Sequence, residues 1–113
     1  MHEMGIMQGI LDASFEAAQK AEKKKITLIK VTIGELTEIQ ASALDFAFEA
    51  LSPGTMAEGA RLEQTFLEPK SECHDCGNVY THDHFTMTCP QCHSYDVRLL
   101  QGRELQIDAI EAD

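Results

Sequence analysis

A chain of 113 residues with 43% hydrophobic side chains can form one packed domain, or a small domain with an attached module. Its formal net charge of −10 repels phosphate backbones and anionic lipid headgroups, which argues against nucleic acid and membrane surfaces as partners. No apolar run approaches the roughly 20 residues a membrane span needs, and the first residues do not read as a signal peptide, so the expected compartment is cytoplasmic.

Spacing predicts an amphipathic helix over residues 4–24, with Met7, Ile10, Leu11, Ser14, Phe15, Ala18 and Ala21 on one side. Lys23, Lys24 and Lys25 crowd its expected end, where the helix dipole favours positive charge. Residues 26–33 read as a strand in which Ile29, Val31 and Ile33 alternate with Lys30 and Thr32, until Gly34 breaks the pattern. A second helix is expected over 41–51, with Leu44, Ala47, Phe48 and Leu51 in its stripe. Ser42 and Asp45 resemble a capping box at its start, and Ser52-Pro53-Gly54 ends it. Phe46 and Phe48 read as core rather than as a ligand pocket. Residues 61–67 form a further strand with Leu62 and Phe66 on one face, and 103–111 a last one with Leu105, Ile107 and Ala109 together.

This order predicts an α+β fold: two helices packed on a three-stranded sheet, with an inserted four-cysteine zinc-ribbon module. The expected division is 1–69 with 101–113 for the α/β domain, and 70–100 for the zinc-binding module. The module's own apolar residues are too few to hold it folded without a staple.

That staple is legible. Cys73-His74-Asp75-Cys76 and Cys89-Pro90-Gln91-Cys92 are two CxxC pairs, and each can form a knuckle that places two sulfurs on one ion. Four thiolates close a tetrahedral shell around Zn(2+) and leave no position for water, so the site reads as structural. A redox dithiol and an iron site compete for the same spacing, and zinc is preferred to both. The module's charge balance is acidic, so the electrostatic footprint of a nucleic-acid-binding ribbon is missing.

Of the five histidines, His82 and His84 read as exposed loop polarity, while His74 and His93 neighbour zinc ligands and could replace a thiolate. His2 is different. A retained Met1 would offer its α-amine, which chelates one ion together with the His2 backbone nitrogen and imidazole. Such nitrogen donors favour square-planar Ni(II) or Cu(II) over zinc. Glu3 can add a carboxylate or its own backbone nitrogen. On these residues alone, a frayed terminus is the simpler reading.

The whole chain resembles the HypA/HybF nickel metallochaperones of hydrogenase maturation. The resemblance is carried by Met1-His2-Glu3, Ile33-Gly34-Glu35-Leu36, the segment Ala43 to Glu49, Gly54-Thr55, Ala57-Glu58-Gly59-Ala60, the two CxxC pairs and Gly102-Arg103-Glu104-Leu105. It implies a nickel site on Met1, His2 and Glu3, with Ni(2+) as cargo, and structural zinc on Cys73, Cys76, Cys89 and Cys92. It implies delivery to the [NiFe]-hydrogenase large subunit with a HypB-type GTPase, in some bacteria also service to urease, no enzymatic activity of the chain's own, and room for a homodimer. The helix that follows the terminus is the expected docking element. Some members carry a histidine after each CxxC; here His93 matches the second, and Gly77-Asn78 stand at the first. The alternative is a zinc-ribbon adaptor between proteins that carries no nickel.

Overall fold

The computed structural model describes residues 2–86 and 88–113. In chain order its elements are α1 (Glu3–Lys20), β1 (Ile26–Gly34), a 3-10 turn (Glu35–Thr37), α2 (Ala41–Leu51), β2 (Arg61–Leu67), β3 (Lys70–Cys73), β4 (Val79–Thr81), β5 (Val97–Gln101) and β6 (Leu105–Ala112). They build two three-stranded sheets, ordered β2-β1-β6 and β4-β3-β5. The expected α+β architecture is present, with the second sheet inside the cysteine insert. Two compact units result. The first takes the residues up to Thr32, Ile39–Thr65 and Gln106–Asp113; the second takes Ile33–Glu38 and Phe66–Leu105.

In the first unit the stripes of both helices and the central strand share one core: Met7, Leu11, Ile26, Ile29, Val31, Leu44 and Ala47 are buried. The long apolar period of α1 and the β-branched run of β1 put these side chains there. β1 is covered more fully than alternation predicted, since Leu28 and Thr32 are buried as well. The Thr32 hydroxyl donates to the Asp108 carboxylate on β6.

Helix α1 stops at Lys20, earlier than the predicted residue 24. The chain leaves it through a Schellman turn: the Lys23 N–H donates to Ala18 O at 2.9 Å and the Glu22 N–H to Gln19 O at 3.0 Å. Glu22 sits in the left-handed region at φ 59°. Lys23, Lys24 and Lys25 therefore lie beyond the last turn. Lys20 alone faces the helix C-terminus, and it pairs with Glu16 at 3.1 Å.

The predicted capping box on α2 does not form. Its N-cap is Gln40, without a side-chain cap, and Ser42 lies inside the helix. The Gln40 N–H donates instead to Glu3 Oε2 at 3.2 Å. Asp45 accepts a hydrogen bond from the Gln64 amide on β2. Phe48 is core as predicted, but Phe46 is exposed. Along β6 the half-buried positions are Ile107, Ile110 and Ala112, while Leu105 and Ala109 are exposed. The two-residue period slips once, which is cheapest on an edge strand with a neighbour on one side.

In the second unit β3 pairs antiparallel with both β4 and β5. Gly34 and Gly102 meet closely there. A Cβ on Gly34 would stand 2.1 Å from the carbonyl carbon and oxygen of Gly102, so no other residue fits. The contact is closed by the Leu36 N–H donating to Gly102 O and the Gly34 N–H donating to Glu104 O, both at 2.8 Å.

Candidate metal centres

The four cysteines meet in the second unit. Strand β3 delivers Cys73 into a turn, where the Gly77 N–H donates to Cys73 O and the Cys73 N–H to Asn78 O, both at 2.9 Å. The second turn repeats this: the His93 N–H donates to Cys89 O at 2.8 Å and the Cys89 N–H to Ser94 O at 3.0 Å. Gly77 at φ 77° and His93 at φ 64° hold equivalent left-handed positions, so the histidine stands where the first knuckle has glycine.

All four sulfurs lie within 4.8 Å of one another, and among the described residues they are the one His/Cys/Asp/Glu group placed to hold a metal ion. Two of the separations cross between the knuckles, Cys73 to Cys92 at 3.5 Å and Cys76 to Cys89 at 3.6 Å. A tetrahedral thiolate shell with Zn–S near 2.3 Å has sulfurs about 3.8 Å apart, so the arrangement fits that ion. Cys73 and Cys89 are buried, while Cys76 and Cys92 are exposed. Burial pushes the Cys89 thiol up, but N–H groups of Cys92 and Gln91 outweigh it and bring the thiol down to about 6. The Ser94 N–H favours the Cys92 thiolate, yet the Cys73 sulfur beside it and burial push this thiol up to about 12. Cys76 is also raised: the Asn78 N–H favours its thiolate, and burial and the Cys89 sulfur oppose it. The sulfurs thus resist ionising together, and a divalent cation removes that resistance. The Gln91 N–H and the Asn78 amide both point at the Cys89 sulfur, at 3.4 and 3.8 Å.

The histidines around the cluster have separate partners. His74 Nδ1 lies 3.0 Å from the Asp96 carboxylate. His82 is not the exposed loop residue predicted from sequence. It is half-buried, its Nδ1 faces Asp83 O at 2.8 Å, and its Nε2 lies 2.8 Å from the Ser71 hydroxyl. The carbonyl fixes the proton on Nδ1, so in the neutral ring Nε2 accepts from Ser71. His84 is exposed as predicted, 3.7 Å from the Glu38 carboxylate. Ser71, Asn78 and Asp96, the partners that orient this region, carry no signal in the cysteine spacing.

At the other candidate site Met1 lies outside the described residues. His2 is exposed and is the N-cap of α1. The first bond of the helix runs from the Ile6 N–H to His2 O at 3.0 Å, so the helical ladder makes no demand on the backbone nitrogen of His2. Glu3 is only 6% exposed. Its bond from the Gln40 N–H holds its carboxyl below the usual carboxylate range. His2 and Glu3 line a hollow of about 470 Å³ together with Met4, Gly5, Ala43 and Phe46. Among the described residues no helix is long and apolar enough to cross a membrane.

Residues 1–112 match the family model described as hydrogenase/urease nickel incorporation, metallochaperone, hypA. The chain is 39% identical over 114 residues to a hydrogenase maturation factor HypA of Caldanaerobacter subterraneus subsp. tengcongensis, with all of both chains covered. It is 35% identical over 113 residues to the factor of that name from Geobacter sulfurreducens, again over all of both chains. The solution structure of the Ni metallochaperone HypA from Helicobacter pylori superposes with a TM-score of 0.70 at 28% identity, covering 99% of this chain and 97% of that one. The chain belongs to the HypA family of hydrogenase and urease nickel-incorporation metallochaperones.

Proposed function

We propose that the protein binds one Ni(II) through the Met1 amine, the His2 backbone nitrogen and imidazole, and a donor from Glu3, and delivers it to the large subunit of [NiFe]-hydrogenase with a HypB-type GTPase, in the cytoplasm. It acts as a carrier and not as a catalyst. Residues 1–69 and 101–113 form the nickel-binding domain, and residues 70–100 the zinc-binding module, in which Cys73, Cys76, Cys89 and Cys92 hold one structural Zn(2+).

The observation that carries the reading is the position of His2. It is exposed at the very start of α1, where the helical ladder does not use its backbone nitrogen. Membership of a nickel-incorporation family supports Ni(II) as the cargo. Amine, deprotonated amide and imidazole chelate in adjoining rings and impose a planar field that suits Ni(II) and disfavours Zn(II). A site with few ligands at a chain end is dismantled by competing ligands, whereas four thiolates in two knuckles form a closed cage. Release and retention are thereby divided between two chemistries.

Nickel titration of the native, untagged protein tests this. One equivalent should bind, giving a yellow, diamagnetic complex that strengthens as pH rises through neutrality, because binding displaces protons. His2→Ala should abolish the site with zinc content unchanged, and an N-terminal extension should abolish it with His2 intact. Unchanged nickel binding by the extended form would remove the amine from the ligand set. No nickel binding by the native chain would leave a zinc-ribbon adaptor as the reading.

A further inference from the structure

Strand β2 is an edge of the first sheet: β1 pairs with it on one side, and among the described residues no strand pairs on the other. An open edge presents free backbone N–H and C=O groups, and natural strands usually blunt it with proline, lysine or a charge turned inward. β2 has neither proline nor lysine. Its two charges, Arg61 and Glu63, share the exposed face and pair with each other at 3.9 Å. The alternate positions Leu62 and Gln64 are half-buried and uncharged. Gln64 marks their side as the one towards α2, because its amide N–H groups donate to Ala41 O at 3.2 Å and to Asp45 Oδ1 at 2.9 Å.

On that side the strand borders a hollow. Asp45, Phe48 and Glu49 of α2 line it together with Ala60, Arg61 and Leu62, around a volume of about 540 Å³. Phe48 is buried, and Ala60 and Leu62 are half-buried, so part of the wall is apolar. Neither carboxylate has an ion pair among the described residues, since Arg61 turns to Glu63. The carbonyl oxygen of Gln64 is buried and has no hydrogen-bond donor among them either. Two carboxylates and an unfilled acceptor beside apolar wall suit a cationic donor on an aliphatic stem.

From the open edge and the anionic hollow beside it, we propose that β2 binds an extended segment of a protein partner by strand addition, with a Lys or Arg of that segment in the hollow. The added strand takes its backbone hydrogen bonds from the free edge, and every second side chain falls on the helix side. The one opposite Leu62 lays its methylenes along Leu62 and Phe48 and brings its charge to Asp45 and Glu49. A second copy of this chain does not meet that need. Two β2 strands paired about a two-fold axis keep like faces together, so Arg61, the strand's one cation, stays on the face away from α2. The net charge of −10 also opposes self-association. No residue of this surface is a proposed metal ligand, so a partner can hold the protein here without dismantling either centre.

The test uses the full chain, zinc-loaded and free of nickel, isotope-labelled for NMR. The probe is a blocked synthetic peptide of about nine alternating Val and Thr residues with one central Lys. One control carries Glu in place of that Lys, and another carries N-methyl groups along its backbone. The Lys peptide should shift the amide signals of residues 61–65, Asp45 and Glu49, and slow hydrogen exchange along β2. The Glu peptide should bind at least about tenfold more weakly, and Glu49→Lys, a change at an exposed position, should reverse that order. The methylated peptide should not bind. No binding of the Lys peptide overturns the proposal, as do equal affinities for the Lys and Glu peptides, binding of the methylated form, or shifts that bypass residues 61–65. A dimer on sedimentation whose 61–65 amides are already protected would put a second copy on the edge and also overturn it.

Discussion

The carboxylate of Glu3, at the start of α1, accepts the backbone N–H of Gln40, the residue that opens α2, at 3.2 Å and 37 residues away in sequence. In a capping box the acid three residues into a helix reaches back to the N-cap N–H. Here an acid on the neighbouring helix makes that bond, so the chain end proposed to carry nickel is fastened to a second helix. Glu3→Ala should therefore lower the unfolding midpoint, while Glu3→Gln, which keeps an acceptor, should lower it less. The bond depresses the Glu3 pKa from its ordinary 4.5, so its stabilisation is present above that value and fades as pH falls through the lower folded one. The stability gap between native and Glu3→Gln protein, followed by denaturant titration across this acid range, should close on acidification. A gap that widened would contradict the assignment.

Glu22 occupies the left-handed position of the Schellman turn that ends α1, at φ 59° and exposed to solvent. A side chain there strains the backbone by about 1 kcal/mol, and glycine does not. Glu22→Gly should raise stability by roughly that amount, read as a higher denaturant midpoint with unchanged slope. A loss of stability would mean that the Glu22 side chain makes a compensating contact.

Gly34 allows no side chain, because the backbone of Gly102 and Arg103 fills the space a Cβ would take. Gly34→Ala should destabilise by roughly 3 kcal/mol or more, since both sides of the clash are main chain and neither can rotate away. Soluble yield and thermal unfolding of the variant check this. Native-like stability would show that the two segments separate at little cost.

The cysteine cluster should contain one zinc per chain on metal analysis of freshly purified protein. Loading it must remove the protons of Cys76 and Cys92, whose thiols are raised, while Cys89, lowered to about 6, is already largely ionised at neutral pH. Zinc uptake near pH 7 should therefore release at least about two protons, measurable by calorimetry in buffers of different ionisation enthalpy, and acid should weaken the site. Release of no protons would contradict these shifts. Cys92→Ala should abolish stoichiometric zinc and disorder the segment around β3, β4 and β5, with α1, α2 and β1 remaining folded by hydrogen exchange.

Sequence periodicity locates α1, β1, α2, β2 and β6 because each is long enough to show its repeat. The strands of the cysteine insert span four, three and five residues, too short for any period to register. The exposure of Phe46 is readable in the same pattern that suggests it is core: Leu44, Ala47, Phe48 and Leu51 define the buried stripe, and position 46 falls across the helix from it. The CxxC pairs announce the sulfur cluster, since their geometry is local. The bonds of Glu3 with Gln40 and of His82 with Ser71 are not legible, because each joins residues that folding alone brings together.

The central strand of the first sheet has β2 on one side and β6, the last strand of the chain, on the other. On the ribosome, β1 emerges some seventy residues before that neighbour, a wait of several seconds at about 5–20 residues per second. Throughout that interval one edge of an apolar, β-branched strand has no native pairing. Both compact units also draw on the region after β5, so neither can close while synthesis is incomplete. A nascent chain therefore displays its N-terminus long before the body that supports it exists, and a message truncated before Leu105 yields a product with a bare, sticky edge rather than a smaller working carrier.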